Sequence, residues 1–105
     1  MTNQDLLTYL CKKHKVPTPF VKFVDSPHWQ GEDERIEGYY VPKVHILCIW
    51  KGAEDKELVL AHEFHHYVDE VKGDLLQRLE KRLSTEVGVQ ARAERDLAEF
   101  RAANC

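Results

Sequence analysis

The sequence lacks paired cysteines, long apolar runs and a strong excess of one charge, and each absence removes a class of protein. Its three cysteines are widely spaced, without a C-x-x-C pair, so they do not predict a disulfide framework. No apolar run approaches the roughly 18 residues that span a bilayer, which argues against a membrane protein. Basic and acidic residues are interspersed at a net charge of -3, so we expect no basic face suited to nucleic acid or anionic lipid.

The chain also lacks internal repeats, low-complexity tracts and linker-like segments. Its 105 residues fit one domain and are too few for two, and a hydrophobic content of 43 % is ordinary for a folded globular protein. The polar N-terminal segment, residues 1–15, does not resemble a signal peptide, so a cytoplasmic location is expected. Because so small a domain buries a modest core, a bound metal or self-association into a homo-oligomer would stabilise it.

Apolar spacing and turn-forming residues predict an α+β domain, in which one helix precedes a small three-stranded sheet and further helices follow. Pro17 and Pro19 end the first helix, and Pro42-Lys43 joins the last two strands as a hairpin. The predicted elements are helix 2–16, strand 20–24, loop 25–33, strands 35–41 and 44–50, helix 55–72, and helical stretches 74–83 and 84–103.

The segment His62-Glu63-Phe64-His65-His66 has a spacing that carries chemistry. Two histidines four residues apart on a helix share one face, with their Cβ atoms about 5–6 Å apart. Their imidazoles can converge on a Zn²⁺ ion at about 2.0–2.1 Å each. Glu63 projects beside the metal and can accept a proton from a zinc-bound water. The motif H-E-x-x-H is therefore complete, and zinc is the predicted cofactor.

A catalytic zinc ion usually takes three protein ligands, and the third lies outside this motif. No histidine follows His66, and Asp69 and Lys72 stand where the longer H-E-x-x-H-x-x-G-x-x-H motif requires a glycine and a third ligand. This excludes the metzincin class of peptidase. The remaining choice is an acid on a later helix, either Glu86 or Glu94.

Helical geometry favours Glu94 over Glu86 as the third ligand. At about 100° per residue, Glu94 lies near the centre of an apolar stripe, and Glu86 lies about 80° from it. An unpaired carboxylate on such a stripe is costly, and a metal ion would account for it. The alternative for Glu94 is an ion pair with Arg78 or Arg82. The stripe residues within about 60° of Glu94 are Ala91, Leu97 and Ala98.

The motif with a glutamate on a later helix resembles the gluzincin clan of zinc peptidases. At this length it is most similar to the minimal members of the clan, the minigluzincins. Residues 60–66 look like the zinc helix, and Gly38-Tyr39-Tyr40 looks like the sheet edge before it. Residues 94–100 look like the glutamate helix, similar to the E-x-x-A-N-x-F-A run of the small peptidases that cleave phage repressors.

The resemblance covers residues 36–101 and implies a minimal zincin-like fold with endopeptidase activity on a peptide or protein substrate. It assigns the catalytic role to Glu63 and metal ligation to His62, His66 and Glu94. Two other readings stay open. One is a non-catalytic binding or regulatory protein that zinc stabilises, and the other is a metal hydrolase acting on non-peptide substrates.

Several further residues have predicted supporting roles. Asp69, one turn past His66, is either the acceptor for the second N–H of that histidine or a solvated acid at the helix end. No tyrosine or histidine follows the zinc helix, so groups that bind substrate or stabilise an oxyanion must come from upstream, and a weak or narrow peptidase is expected. The upstream candidates are Tyr39, Tyr40 and His45.

Two predictions concern access to the site. The strand 44–50 is expected to form the rim of the cleft and to bind extended peptide by β-augmentation. The C-terminal thiolate or carboxylate of Cys105 could enter the cleft and keep the enzyme latent by self-inhibition, and the alternative for this tail is disorder.

Overall fold

A computed structural model describes residues 3–30, 34–72 and 86–103, and within these ranges the protein is an α+β domain with three helices and a three-stranded mixed sheet. A separate pair of short strands lies outside that sheet. The elements in chain order are α1 (Asn3–His14), β1 (Phe20–Val24), β2 (His28–Gln30), β3 (Glu34–Ile36), β4 (Gly38–Val41), a 3-10 turn (Pro42–Val44), β5 (Ile46–Trp50), α2 (Lys56–Val71) and α3 (Glu86–Ala103).

Most of the predicted elements are confirmed. The helices α1 and α2, the strand β1 and the β4–β5 hairpin lie where the pattern indicated. Two details are wrong: the predicted loop 25–33 contains β2, and the predicted strand 35–41 is divided at Glu37 into β3 and β4. The helical stretch predicted for residues 74–83 lies outside the described residues.

The three-stranded sheet has the order β1-β5-β4. Strand β5 pairs in parallel with β1 and antiparallel with β4, and Tyr39 stands opposite Cys48 in the second pairing. Because β5 is the central strand, its backbone hydrogen bonds are used on both sides. The prediction that the strand 44–50 binds peptide by β-augmentation is therefore wrong, since that mode of binding needs a sheet edge.

Helix α2 is the centre of the fold and contacts α1, α3, β4 and β5. Its N-cap is Asp55, whose carboxylate accepts a hydrogen bond from the backbone N–H of Leu58 at 3.1 Å. Its apolar side chains join one core with those of the other elements, and removing this surface from water is the main stabilising contribution. Core members include Leu6, Leu10, Leu47, Ile49, Leu60, Phe64, Leu97 and Phe100.

Strand β4 approaches α2 closely at Gly38. A Cβ atom at this position would clash with the side chain of Val59 and would lie 3.1 Å from the carbonyl oxygen of Cys48 and 3.4 Å from Cγ of Glu63. Any larger residue here would force Val59 or the strand to shift, so the absence of a side chain allows the sheet edge at Gly38 to lie beside Glu63. None of the described helices is long and apolar enough to cross a membrane.

Candidate metal centre

The helix α2 is buried on most of its circumference, and the side chains of His62 and His66 are partly exposed on one face. Their ring centroids are 5.1 Å apart, as expected for histidines one helical turn apart. Glu63 lies between them in sequence and is only 5 % exposed. The potential ligand atoms of His62, Glu63 and His66 all lie within 4.8 Å of one another.

This set of donors fits a zinc ion. Zinc in proteins binds imidazole nitrogen and carboxylate oxygen, and two imidazoles from one helix turn supply half of a tetrahedral site. A buried carboxylate beside the two rings is well placed to hold or move a proton. Because the three residues come from adjacent turns of one helix, the prediction from sequence needed only local geometry.

Gln90 of α3 contacts the first histidine of the motif, and the sequence analysis did not identify it. His62 Nδ1 lies 2.7 Å from Gln90 Oε1, and Gln90 Nε2 donates to Glu94 Oε1 at 3.1 Å. One side-chain amide therefore joins a predicted zinc ligand on α2 to the predicted third ligand on α3. The only signal in the sequence is that Gln90 precedes Glu94 by one helical turn.

The prediction that Glu94 lies on an apolar stripe is wrong. Glu94 is exposed, as are Ala91 and Ala98, which the predicted stripe included. An alanine fits an exposed helical surface as well as a buried one, because it is the best helix former and has little apolar area. Over residues 88–103, where the burial of side chains is described, the buried face of α3 consists of Val89, Ala93, Asp96, Leu97 and Phe100.

The choice between Glu94 and Glu86 as a third ligand stays open on this geometry. Glu94 is joined to His62 through Gln90, and the backbone of Glu86 lies one turn before Gln90 on the same helix. The predicted ion-pair partners of Glu94, Arg78 and Arg82, lie outside the described residues, as does Cys105.

Asp69 makes a bidentate ion pair with Arg92 of α3. Nη1 and Nη2 of the arginine donate to the two carboxylate oxygens of Asp69 at 2.8 Å each. These hydrogen bonds raise the pKa of Arg92 above its ordinary value, although burial opposes them. The observed role of Asp69 is thus to join α2 to α3, and its predicted contact with His66 remains a prediction.

The three upstream candidates for substrate binding lie along β4 and the following turn. The hydroxyl of Tyr40 donates to Glu70 and lies 2.8 Å from His45 Nδ1. Glu70 is seven residues beyond Glu63, about 10 Å farther along the helix. Tyr39 points to the opposite face of the sheet from Gly38 and Tyr40, because side chains alternate along a strand. The structure therefore shows the hydroxyl of Tyr40 engaged with both Glu70 and His45.

A second cluster of metal-binding residue types joins all three helices at Asp96, which is 0 % exposed. His14 Nε2 and His65 Nε2 lie 2.6 Å and 2.8 Å from Asp96 Oδ2, and Lys13 Nζ lies 2.6 Å from Asp96 Oδ1. Burial alone would raise the pKa of Asp96, but the hydrogen bonds from Lys13, His14 and His65 hold that pKa at about 2. The cluster is therefore a buried carboxylate compensated by a lysine.

The hydrogen bonding of His65 favours this ion-pair interpretation of the cluster over a second metal site. Its Nδ1 is buried and has no hydrogen-bond partner among the described residues. A histidine that binds metal through Nε2 carries its proton on Nδ1 and normally donates it to an acceptor. The arrangement instead fits a neutral ring that donates Nε2–H to Asp96 and keeps a bare lone pair on Nδ1.

We expect the free energy of unfolding to fall on acidification because of His65. Burial lowers the pKa of His65 to about 4, although Asp96 opposes the shift, whereas an unfolded histidine titrates near 6.5. As the pH falls, His65 therefore binds a proton at a higher pH in the unfolded chain than in the folded chain. The contribution of His65 to the free energy of unfolding is complete above about pH 6.5, and it falls by roughly 3 kcal/mol as the pH drops towards 4.

Urea unfolding of the metal-free protein at several pH values measures this effect. His65→Leu is the comparison, because it keeps every other titrating group and should lose less stability between pH 6.5 and pH 4 than the wild type. Parallel pH profiles for the two proteins would contradict the prediction.

No protein-family model, curated protein or solved structure matches the chain.

Proposed function

We propose that the protein is a zinc-dependent peptidase of a minimal, gluzincin-like type. The observation that carries the proposal is the arrangement of His62, Glu63 and His66 on α2, with all three potential ligand atoms within 4.8 Å of one another. Zinc, when bound by the two histidines and a glutamate, would lower the pKa of a water molecule and polarise the carbonyl of the scissile bond.

Glu63 has the role of general base in this mechanism. Its carboxylate accepts the proton of the attacking water and returns it to the amine of the leaving peptide. Burial beside two imidazoles keeps bulk water from competing for that proton. A purely structural zinc site gains nothing from an acid beside the metal that is not itself a ligand.

The substrate would bind along β4 and not along β5. Strand β4 is an edge of the three-stranded sheet in the described part of the chain, and Gly38 brings this edge against Glu63. An extended peptide can add to such an edge through backbone hydrogen bonds. The expected partner is therefore an unfolded segment of a peptide or protein, held with its backbone beside the catalytic glutamate.

The alternative is a non-catalytic protein in which zinc stabilises the fold. The observation that favours it is that α2 and α3 are already joined at this face, through His62 and Gln90 and through Asp69 and Arg92. A metal ligand from α3 would strengthen the same contact. This version predicts bound zinc without peptide cleavage.

Zinc content and cleavage of a denatured protein together test the proposal. We expect one zinc ion per chain by elemental analysis, cleavage of the denatured substrate, and loss of cleavage on chelation that is restored by added zinc. Zinc without cleavage supports the structural alternative. A protein without zinc after purification and after incubation with zinc would contradict both.

The same zinc measurement identifies the third ligand. If Glu94 binds the metal, Glu94→Gln should weaken zinc binding by about 100-fold or more while Glu86→Gln leaves it near the wild-type value. The opposite result would assign the role to Glu86. Both substitutions remove one negative charge from α3, so each is the matched control for the other.

A further inference from the structure

Gln90 lies between the first histidine of the motif and an acid of α3. The amide is half-buried, with its oxygen 2.7 Å from His62 Nδ1 and its nitrogen 3.1 Å from Glu94 Oε1. Both are ordinary hydrogen-bond distances, and they use the two ends of the same amide.

The chemistry of Glu94 determines which way this amide points. A carboxylate can only accept hydrogen bonds, so the amide NH₂ of Gln90 must face it. The carbonyl oxygen of Gln90 then faces His62, and an oxygen at that place can only accept. His62 must therefore carry a proton on Nδ1, and a neutral ring protonated there has its lone pair on Nε2.

We propose that Gln90 is a positioning residue that selects the Nδ1–H tautomer of His62 and so presents the Nε2 lone pair for metal binding. The metal-binding part of this inference rests on the proposed zinc site, whereas the tautomer is a property of the metal-free protein. The amide also restrains the ring plane of His62, because the N–H bond of an imidazole lies in the plane of the ring. Groups that orient a metal-bound histidine in this way typically change metal affinity by about 10- to 100-fold.

Four proteins test the proposal: the wild type, Gln90→Leu, Gln90→Glu and the control Gln4→Leu. Leucine removes the acceptor, and glutamate keeps an acceptor for the Nδ1 proton of His62. Gln4 is exposed on α1, so Gln4→Leu makes the same chemical change away from the motif. Long-range ¹H–¹⁵N NMR of the metal-free proteins at about pH 8 reports which nitrogen of the neutral ring is protonated.

The expected result is the Nδ1–H tautomer of His62 in the wild type, Gln4→Leu and Gln90→Glu. Gln90→Leu should show a mixture of tautomers or the Nε2–H form, at an unfolding midpoint close to that of Gln4→Leu. Its zinc dissociation constant should be about 10- to 100-fold higher than that of the control. If Gln90 only packed against its neighbours, its replacement would not change which nitrogen of His62 is protonated. Retention of the Nδ1–H tautomer in Gln90→Glu would show that the hydrogen-bond acceptor is what matters.

Two results would overturn the proposal. One is an unchanged His62 tautomer in Gln90→Leu, and the other is a zinc dissociation constant equal to that of Gln4→Leu. Failure of the proposed function is a separate outcome. If the wild type binds no zinc while Gln90→Leu still changes the tautomer, the hydrogen-bonding role of Gln90 stands and the zinc peptidase does not.

Discussion

Replacing Glu63 with glutamine is expected to lower kcat for peptide cleavage by about 10²–10⁴-fold and to leave zinc binding nearly unchanged. Glutamine has almost the same shape but cannot accept and return the proton of the attacking water. The side chain is 5 % exposed, so a substitution that keeps its volume and a polar end is the appropriate one. Initial rates of cleavage, together with zinc content on the same samples, measure the effect.

Glu54→Gln is the matched control for this experiment. Glu54 is exposed and precedes α2, so its replacement removes the same charge without touching the motif. The control should cleave at the wild-type rate. Wild-type activity in Glu63→Gln would remove the general base from the proposed mechanism, and loss of zinc in that variant would make Glu63 a ligand instead.

The residues of the site that could be predicted from sequence are those that lie together on one helix, α2. His62 and His66 follow from a period of 3.6 residues and a reliable helix start at Asp55. The contacts from α3 could not be predicted in the same way. Gln90 and Arg92 reach α2 across more than twenty residues of chain, and nothing in a local pattern specifies how two helices cross.

The error over Glu94 has the same origin. Leu97 belongs to the observed buried face of α3, but alanines on either side allow that face to be centred in more than one way. The structure centres it near Ala93 and Leu97, and Asp96 lies within it. From sequence alone an aspartate is expected at the surface. The partners that allow Asp96 to be buried, His14 and His65, come from the other two helices and are not visible in a local pattern.

The same holds for the sheet, in which pairing between neighbouring strands could be predicted and pairing between distant strands could not. The β4–β5 hairpin was predictable because its two strands adjoin in sequence. The parallel pairing of β1 with β5 brings together strands separated by more than twenty residues, and it makes β5 the central strand. Because of this pairing, β5 is not an edge strand, and the edge at which a peptide is expected to bind is β4 instead.

Replacing Asp96 with leucine is expected to lower the free energy of unfolding by about 3 kcal/mol. The side chain is 0 % exposed and accepts hydrogen bonds from Lys13, His14 and His65. Of these donors, His65 is the one with no access to water, so its Nε2–H would be left buried and unpaired. Thermal unfolding should show a decrease in Tm on the order of 15 °C. Glu99→Gln, at an exposed residue that also contacts Lys13, should leave Tm near the wild-type value.

A double variant distinguishes this account from simple overpacking. If the loss comes from the unpaired N–H of His65, replacing both residues removes donor and acceptor together, and His65→Leu with Asp96→Leu should be more stable than Asp96→Leu alone. A coupling energy of about 1–3 kcal/mol is expected from the cycle. Additive losses would mean that leucine at position 96 is destabilising for steric reasons. In that case the joining of α1, α2 and α3 would depend on their apolar contacts and not on this carboxylate.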